Sequence, residues 1–263
     1  MDSTEGTFGD HLEALRPHLI RSAAVLVAVL VAAFLCKGLI VDRVLFGPMQ
    51  EWFPTNRLLA ALADATGVEQ LRINDGVVEL VSTTMAGQLN LHIKIAFYVA
   101  LVAAFPYMLW EVWRFVRPAL TERELAACRS FVGWVSLCFF SGVAFGYVII
   151  APLTVNFLSG YRVSSAVENM IDVNSYLSTI IDVTLACGAI FQLPLLVWFL
   201  ARMGLLTAAF MRRYRRHAIV ILTVVSAVIT PPDVVSTILV IMPLYGLYEL
   251  SIAIARRAEP AMP

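Results

Sequence analysis

The chain has 263 residues, of which 60% are hydrophobic and only 14% charged, against about half and about a quarter in a soluble domain. With a mean hydropathy of +0.80 it belongs among membrane proteins. Basic and acidic side chains balance to zero net charge, so overall charge gives no sign of a nucleic-acid partner, and the distribution of charge along the chain carries the information.

The N-terminus, MDSTEGTFGDHLEAL, is acidic and lacks a basic leader and a small-residue cleavage site. The first apolar run is therefore expected to be a retained span. Asp10–Leu19 reads as a short amphipathic helix lying in the interface before that span. Leu12, Leu15 and Leu19 form its apolar stripe, and His11, Glu13 and Arg16 lie off it.

A spanning helix needs about 20 mostly apolar residues. Six segments meet or approach this: 19–40, 91–113, 131–153, 176–200, 218–230 and 234–255. The fifth is short, reaching about 20 Å at 1.5 Å per residue, against a hydrocarbon core of about 30 Å. With the N-terminus inside, thirteen arginines fall on cytoplasmic segments and four on external ones. That bias predicts N-in, C-in and an even number of spans. The expected fold is an all-α integral membrane protein of six kinked transmembrane helices, with short fifth and sixth spans forming a concave face.

Residues 41–90 are expected to cap the external side. Phe46, Met49, Trp52 and Phe53 suggest an interfacial patch and Leu58–Ala65 a short helix. Leu71–Ile73 and Val77–Leu80 flank Asn74-Asp75-Gly76 as a hairpin. Lys94 enters the second span early, either snorkelling outward along its stem or facing protein or water.

The stretch AFPYMLWEVWRFVRPALTERE, from Ala104 to Glu124, closes the second span. Pro106 removes a backbone donor and is expected to kink the helix. Trp110 and Trp113 mark the membrane boundary, Arg114, Arg117 and Arg123 follow, and Pro118 stops the helix. The loop that emerges carries Glu122 and Glu124. It serves either as an ordinary positive-inside loop or as a recognition element.

Gly142 and Gly146 in the third span make a GxxxG, expected to pack internally, and Pro152 is expected to begin the second external loop. In the fourth span Asp182 lies about two turns in, as a solvated acid near the rim or facing a wet cavity, and Gln192 and Pro194 follow deeper. Arg212, Arg213, Arg215 and Arg216 suit a topology anchor or anionic lipid headgroups. Thr230-Pro231-Pro232-Asp233 makes a tight turn, with Asp233 placed to cap the sixth helix. Pro243 kinks that helix, and Glu249 lies near its inner end beside Tyr245 and Tyr248.

There is no Walker A, no GxGxxG after a strand and no HExxH, and His11, His18, His92 and His217 are scattered. The four cysteines show no paired spacing and read as small hydrophobes. No enzyme, metal or cofactor is expected. A six-span secondary transporter using Asp182, Lys94 and Gln192 is the alternative, against which stands the lack of half-repeats.

Four segments, in order, resemble one family. They are HLEALRPHL at 11–19, the pattern F-P-x-x-L-[aromatic]-x-x-W-x-F-[VI]-x-P-A-L-x-x-x-E at 105–124, FQLPLLVWFLARMGLLT at 191–207, and ITPPDVVSTILVIMPLYGLYEL at 229–250. The chain resembles the TatC family, the polytopic core of the twin-arginine protein translocase. The resemblance implies a receptor for twin-arginine signal peptides that exports folded proteins across the cytoplasmic membrane using the proton-motive force. It implies TatA- and TatB-like single-span partners in the bilayer and a homo-oligomer within a larger complex. Glu124 takes the position of the family's loop glutamate, and Glu122, Glu13, Arg16, Phe115 and Pro118 join it as signal-peptide residues. Gln192 and Pro194 are the partner-helix contact, and Pro106, Lys94 and Asp233 are structural. The chain departs from the family at Ala14, where Glu is usual, at His18, where a basic residue is usual, at Leu125, often Arg, and at Gln192, typically Glu in F-E-x-P.

Overall fold

The apolar stripe of the N-terminal segment runs without a break into the first span, and this continuity decides the local structure. In the computed structural model, which describes residues 8–68, 73, 80–117, 131–164, 169–202, 204–230 and 234–258, one helix, α1, covers Phe8–Leu35. The separate interfacial helix expected at Asp10–Leu19 is thus the first part of the span itself. Pro17 lies inside it, and spanning helices accommodate such a proline.

The remaining helices among the described residues are α2 (Pro54–Thr66), α3 (Gly87–Val116), α4 (Phe131–Phe145), α5 (Ala151–Gly160), α6 (Val173–Ile190), α7 (Leu193–Arg202), α8 (Ala208–Arg213), α9 (Arg215–Ile229) and α10 (Val234–Ala258). Five stretches are long and apolar enough to cross a membrane: Glu13–Leu35, Gly87–Val116, Val132–Gly160, Val173–Arg202 and Thr237–Arg257. The sixth apolar helix, α9, has 15 residues and reaches only about 22 Å. The shortness expected of both last spans is confined to α9, because α10 runs for 25 residues through Pro243, about 37 Å. α3 likewise continues through Pro106 and ends at Val116, ahead of Pro118.

The chain divides into two compact units. The first holds Met1–Arg43 and Leu89–Leu137, with α1 and most of α3. Two clamps join these helices. Toward one end the His92 ring stacks on Phe34, centroids 3.9 Å apart, and His92 Nε2 donates to the Phe34 carbonyl at 3.0 Å. Toward the other end His18 meets Glu111. Between the clamps one stripe of α1 is covered (Val25, Leu26, Val29, Leu30 and Ala33), while Leu19, Ile20, Val27 and Val31 are all more than half exposed. Such an apolar surface suits lipid or another helix.

The second unit holds Val44–Gln88 and Cys138–Pro263. Its core is built from Ile150, Val183, Cys187, Leu222, Val240 and Leu244, and α10 packs along α7 over the greatest length. Gly142 and Gly146 pack inside this unit. A Cβ on Gly142 would lie 2.6 Å from the Cys187 carbonyl oxygen, and one on Gly146 would lie 3.0 Å from Thr184 Cα. Only hydrogen fits at either position.

Pro152 does not begin a loop. The third span passes from α4 through a π turn, Gly146–Ile150, into α5, where Pro152 is buried in the first turn. Having no N–H, Pro152 leaves the Val148 carbonyl without a helical donor. The Thr55 hydroxyl from α2 donates to that carbonyl instead. Tyr147 and Tyr176 donate to the Val44 and Leu45 carbonyls at 2.6 and 2.8 Å. Segment 44–66 is tied to the helices in this way, and the patch expected there splits. Trp52 is exposed, whereas Phe53 is buried edge-on against Tyr147.

The hairpin expected around Asn74-Asp75-Gly76 falls mostly outside the described residues. Its last residue, Leu80, pairs elsewhere. Strand β1 (Leu80–Val81) lies parallel to β2 (Ile171–Asp172). Asp172 then caps α6, accepting from the Asn174 and Ser175 amides, and it also accepts from the Thr83 amide at 3.3 Å and hydroxyl at 3.0 Å. Those bonds, the Thr83 amide first, hold its carboxyl below the usual carboxylate range.

Candidate functional site

In the first unit the chemistry gathers at the last three turns of α3. Tyr107, Glu111, Arg114 and Phe115 recur at helical spacing and so share one side of the helix. Glu111 is 1% exposed. A carboxylate so placed needs partners, and it has three. His18 Nδ1 donates to Oε2 at 2.5 Å, the Tyr107 hydroxyl donates to Oε1 at 2.9 Å, and the Arg114 guanidinium lies 3.7 Å from Oε1. Arg114 also lies over the Trp110 ring, 4.9 Å from its centroid. The Phe115 ring meets His18 edge-on with centroids 6.1 Å apart. His18 is therefore held on one side by a charge and on the other by an aromatic edge.

Of the residues expected to bind a signal peptide, Phe115 belongs to this knot. Glu13 and Arg16 are exposed on α1, little more than one turn and less than one turn before His18 respectively. Glu122, Glu124 and Pro118 lie outside the described residues, as does Asp233. Pro106 is half-buried within α3, and Lys94 is exposed on the same helix. Asp182 is exposed on α6. No group of three or more His, Cys, Asp or Glu side chains suited to a metal occurs among the described residues.

In the second unit, Gln192 marks a break in the fourth span. Pro194 cannot donate to the Ile190 carbonyl, and α6 stops at Ile190. The Gln192 backbone amide turns to the Ala189 carbonyl at 3.0 Å. The Gly188 carbonyl, which that amide would serve in a regular helix, receives the Gln192 side-chain Nε2 at 3.3 Å instead. This bond fixes which way the amide faces. Its oxygen, Oε1, is buried with no hydrogen-bond partner. An unpaired buried acceptor is costly and calls for a donor. Pro194 is buried beside it.

Glu249 on α10 accepts from Arg215 of α9 at 2.7 Å and from the Tyr245 hydroxyl at 3.0 Å. Further along the same two helices lies an apolar hollow of about 190 Å³ lined by Ile219, Leu222, Ile241, Met242 and Tyr245. The Ser226 and Thr230 hydroxyls bond toward Thr237 where α9 turns into α10.

Sequence reasoning missed Glu111 and counted His18 among scattered histidines. The available signal was the Tyr107–Glu111 spacing of four, an acid one turn after a phenol inside an apolar run. Its partner on α1 is 93 positions away and emerges only from the packing.

The chain as a whole has known relatives. The sequence profile of the Sec-independent protein translocase protein (TatC) family matches residues 10–243. A TatC protein of Blattabacterium sp. subsp. Periplaneta americana is 33% identical over 256 residues, covering 97% of this chain and 96% of that one. One from Campylobacter jejuni is 32% identical over 95% of this chain and 96% of its own. A crystal structure titled as the twin arginine translocase receptor TatC superposes with a TM-score of 0.63 at 29% identity, over 94% of this chain and 99% of that one. A second, in DDM, gives 0.67 over 92% and 98%. The chain belongs to the TatC family, as a multi-pass membrane component of the Sec-independent protein translocase.

Proposed function

We propose that the chain is the signal-receiving subunit of a twin-arginine translocase, lying in the cytoplasmic membrane with both termini in the cytoplasm. A pair of arginines in a signal peptide needs carboxylates, which guanidinium groups engage by two parallel hydrogen bonds. Glu124 supplies the main one, with Glu122 and Glu13 beside it. Phe115 and Pro118 shape the entry to the loop, and Arg16 orients the acidic side chains. One observation carries this reading. The His18–Glu111–Phe115 junction joins α1, which bears Glu13 and Arg16, to the end of α3 from which the loop bearing Glu122 and Glu124 continues.

The partner side of the function lies on the second unit. The unpaired Gln192 Oε1 beside Pro194 suits a donor side chain on a TatA- or TatB-like single-span helix. The short α9 and the apolar hollow beside it favour a thinned, concave face for such helices. Several copies of the chain assemble with these partners, and folded precursors leave the cytoplasm at the expense of the proton-motive force.

The test uses inverted membrane vesicles. A photoreactive probe replaces Thr121 or Arg123, and a twin-arginine precursor is compared with its twin-lysine counterpart. A crosslink to the first alone, abolished by Glu124→Ala, is the expected result. Equal crosslinks to both precursors, or none from properly inserted protein, would overturn the reading.

A further inference from the structure

Glu111 is the most completely enclosed acid among the described residues, and the signal-peptide reading does not use it. Its oxygens are already engaged by His18, Tyr107 and Arg114. At 1% exposure the carboxylate offers no surface to an incoming guanidinium, so direct recognition is not its task. Its partners define the task instead. Tyr107 and Arg114 belong to its own helix and hold the carboxylate in place, whereas His18 belongs to α1. From Glu13 to Arg21 every residue of α1 except His18 is exposed, and the covered stripe of the helix resumes only at Ser22. The Glu111–His18 bond therefore fixes one half of α1, and Glu13 and Arg16 lie on that half.

We propose that Glu111 is a positioning residue for signal-peptide recognition: through His18 it holds the Glu13- and Arg16-bearing part of α1 at the end of α3. The inference rests on the receptor reading above and goes further, assigning a role to two residues outside the proposed contact set. Phe115 serves both, touching His18 while lying in the proposed entry to the loop.

The experiment is photo-crosslinking in inverted vesicles with two probe positions, Ala14 on α1 and Thr121 on the loop, and with twin-arginine and twin-lysine precursors. Glu111→Ala and His18→Ala are each expected to cut the twin-arginine crosslink from Ala14 by at least about fivefold, and to cut that from Thr121 much less. The double variant should be no worse than either single one, since both remove the same bond. His18→Arg, which keeps an N–H donor facing Glu111, should restore the Ala14 crosslink. Additive losses, no loss at Ala14, or failure of His18→Arg to rescue would overturn the proposal. If Glu111→Ala does not insert, the His18→Ala and His18→Arg pair decides in the same way. Failure of the receptor reading looks different. There the unaltered protein itself would not distinguish the two precursors at Thr121.

Discussion

The two units hold the same device in two settings. In each, a glutamate receives a tyrosine hydroxyl from one turn earlier on its own helix and an N–H donor from another helix. Tyr107, Glu111 and His18 form it in the first unit, and Tyr245, Glu249 and Arg215 in the second. The settings differ in exposure. The Glu111 side chain is 1% exposed, whereas Glu249 is 34% and Arg215 44% exposed. In the exposed copy water can replace a lost partner. In the enclosed copy water does not replace a lost partner, and removal of one leaves the Glu111 carboxylate buried and short of a donor. The connection also differs. α9 and α10 share a core and the Ser226–Thr237 hydrogen bond, so their ion pair is one contact among many. α1 has few contacts with α3 apart from its clamps. The same chemistry is therefore decorative at one end of the chain and structural at the other.

The largest effect should come from removing each acid. Glu111→Ala should markedly lower the thermal stability of the detergent-solubilised protein and expose the first unit to proteolysis. Glu249→Ala should cost on the order of 1 kcal/mol or less. Its effect should vanish in about 1 M salt, where screening acts within about 3 Å. Equal losses from the two variants would remove the contrast. A smaller difference is expected between the tyrosines. Tyr107→Phe leaves the buried Glu111 short of a donor and should lower the melting temperature by several degrees. Tyr245→Phe, with water at hand, should leave it nearly unchanged. Both are read by scanning fluorimetry on matched preparations.

The smallest effect concerns pH and a third carboxylate. Asp172 is held below its ordinary range by the Thr83 amide and hydroxyl and by the amides of α6. A depressed native pKa contributes stability that is complete above the unfolded value, about 4, and is lost as pH falls through the native one. The melting temperature should therefore decline as the medium is acidified below about pH 4. In Asp172→Asn, which can still cap the helix, that part of the decline should be absent. A melting curve of the same slope in both proteins would show that Asp172 makes no such contribution.

Much of the architecture was legible in the sequence because apolar runs of spanning length leave few alternatives. The internal packing of Gly142 and Gly146 was legible from their spacing, whereas the break at Gln192 was missed within a span read as continuous over 176–200. Two errors have the same origin. Pro152 reads as the start of a loop and Asp10–Leu19 as a helix apart, yet both lie within longer helices. In each case neighbouring groups take up what the local signal left unmet, the Thr55 hydroxyl at Pro152 and the Glu111 clamp at His18. The candidate site was half legible. Trp110, Trp113 and Arg114 announced a boundary, and the family pattern pointed to Phe115 and the loop. The Glu111–His18 bond was not legible, because a pairing across 93 positions depends on which helix faces which.

The carbonyl that Pro152 leaves free on Val148 has a consequence for how this chain can change length. Thr55 reaches that one oxygen from α2, and a helix turns about 100° with every residue. Deleting or inserting a single residue between Gly146 and Pro152 would swing the free oxygen round the helix and away from Thr55. Point substitutions at neighbouring positions would leave it in place. Lineages descending from this chain should therefore tolerate substitution at the half-buried Val148 and Ile149 but hardly any change in the number of residues between Gly146 and Pro152.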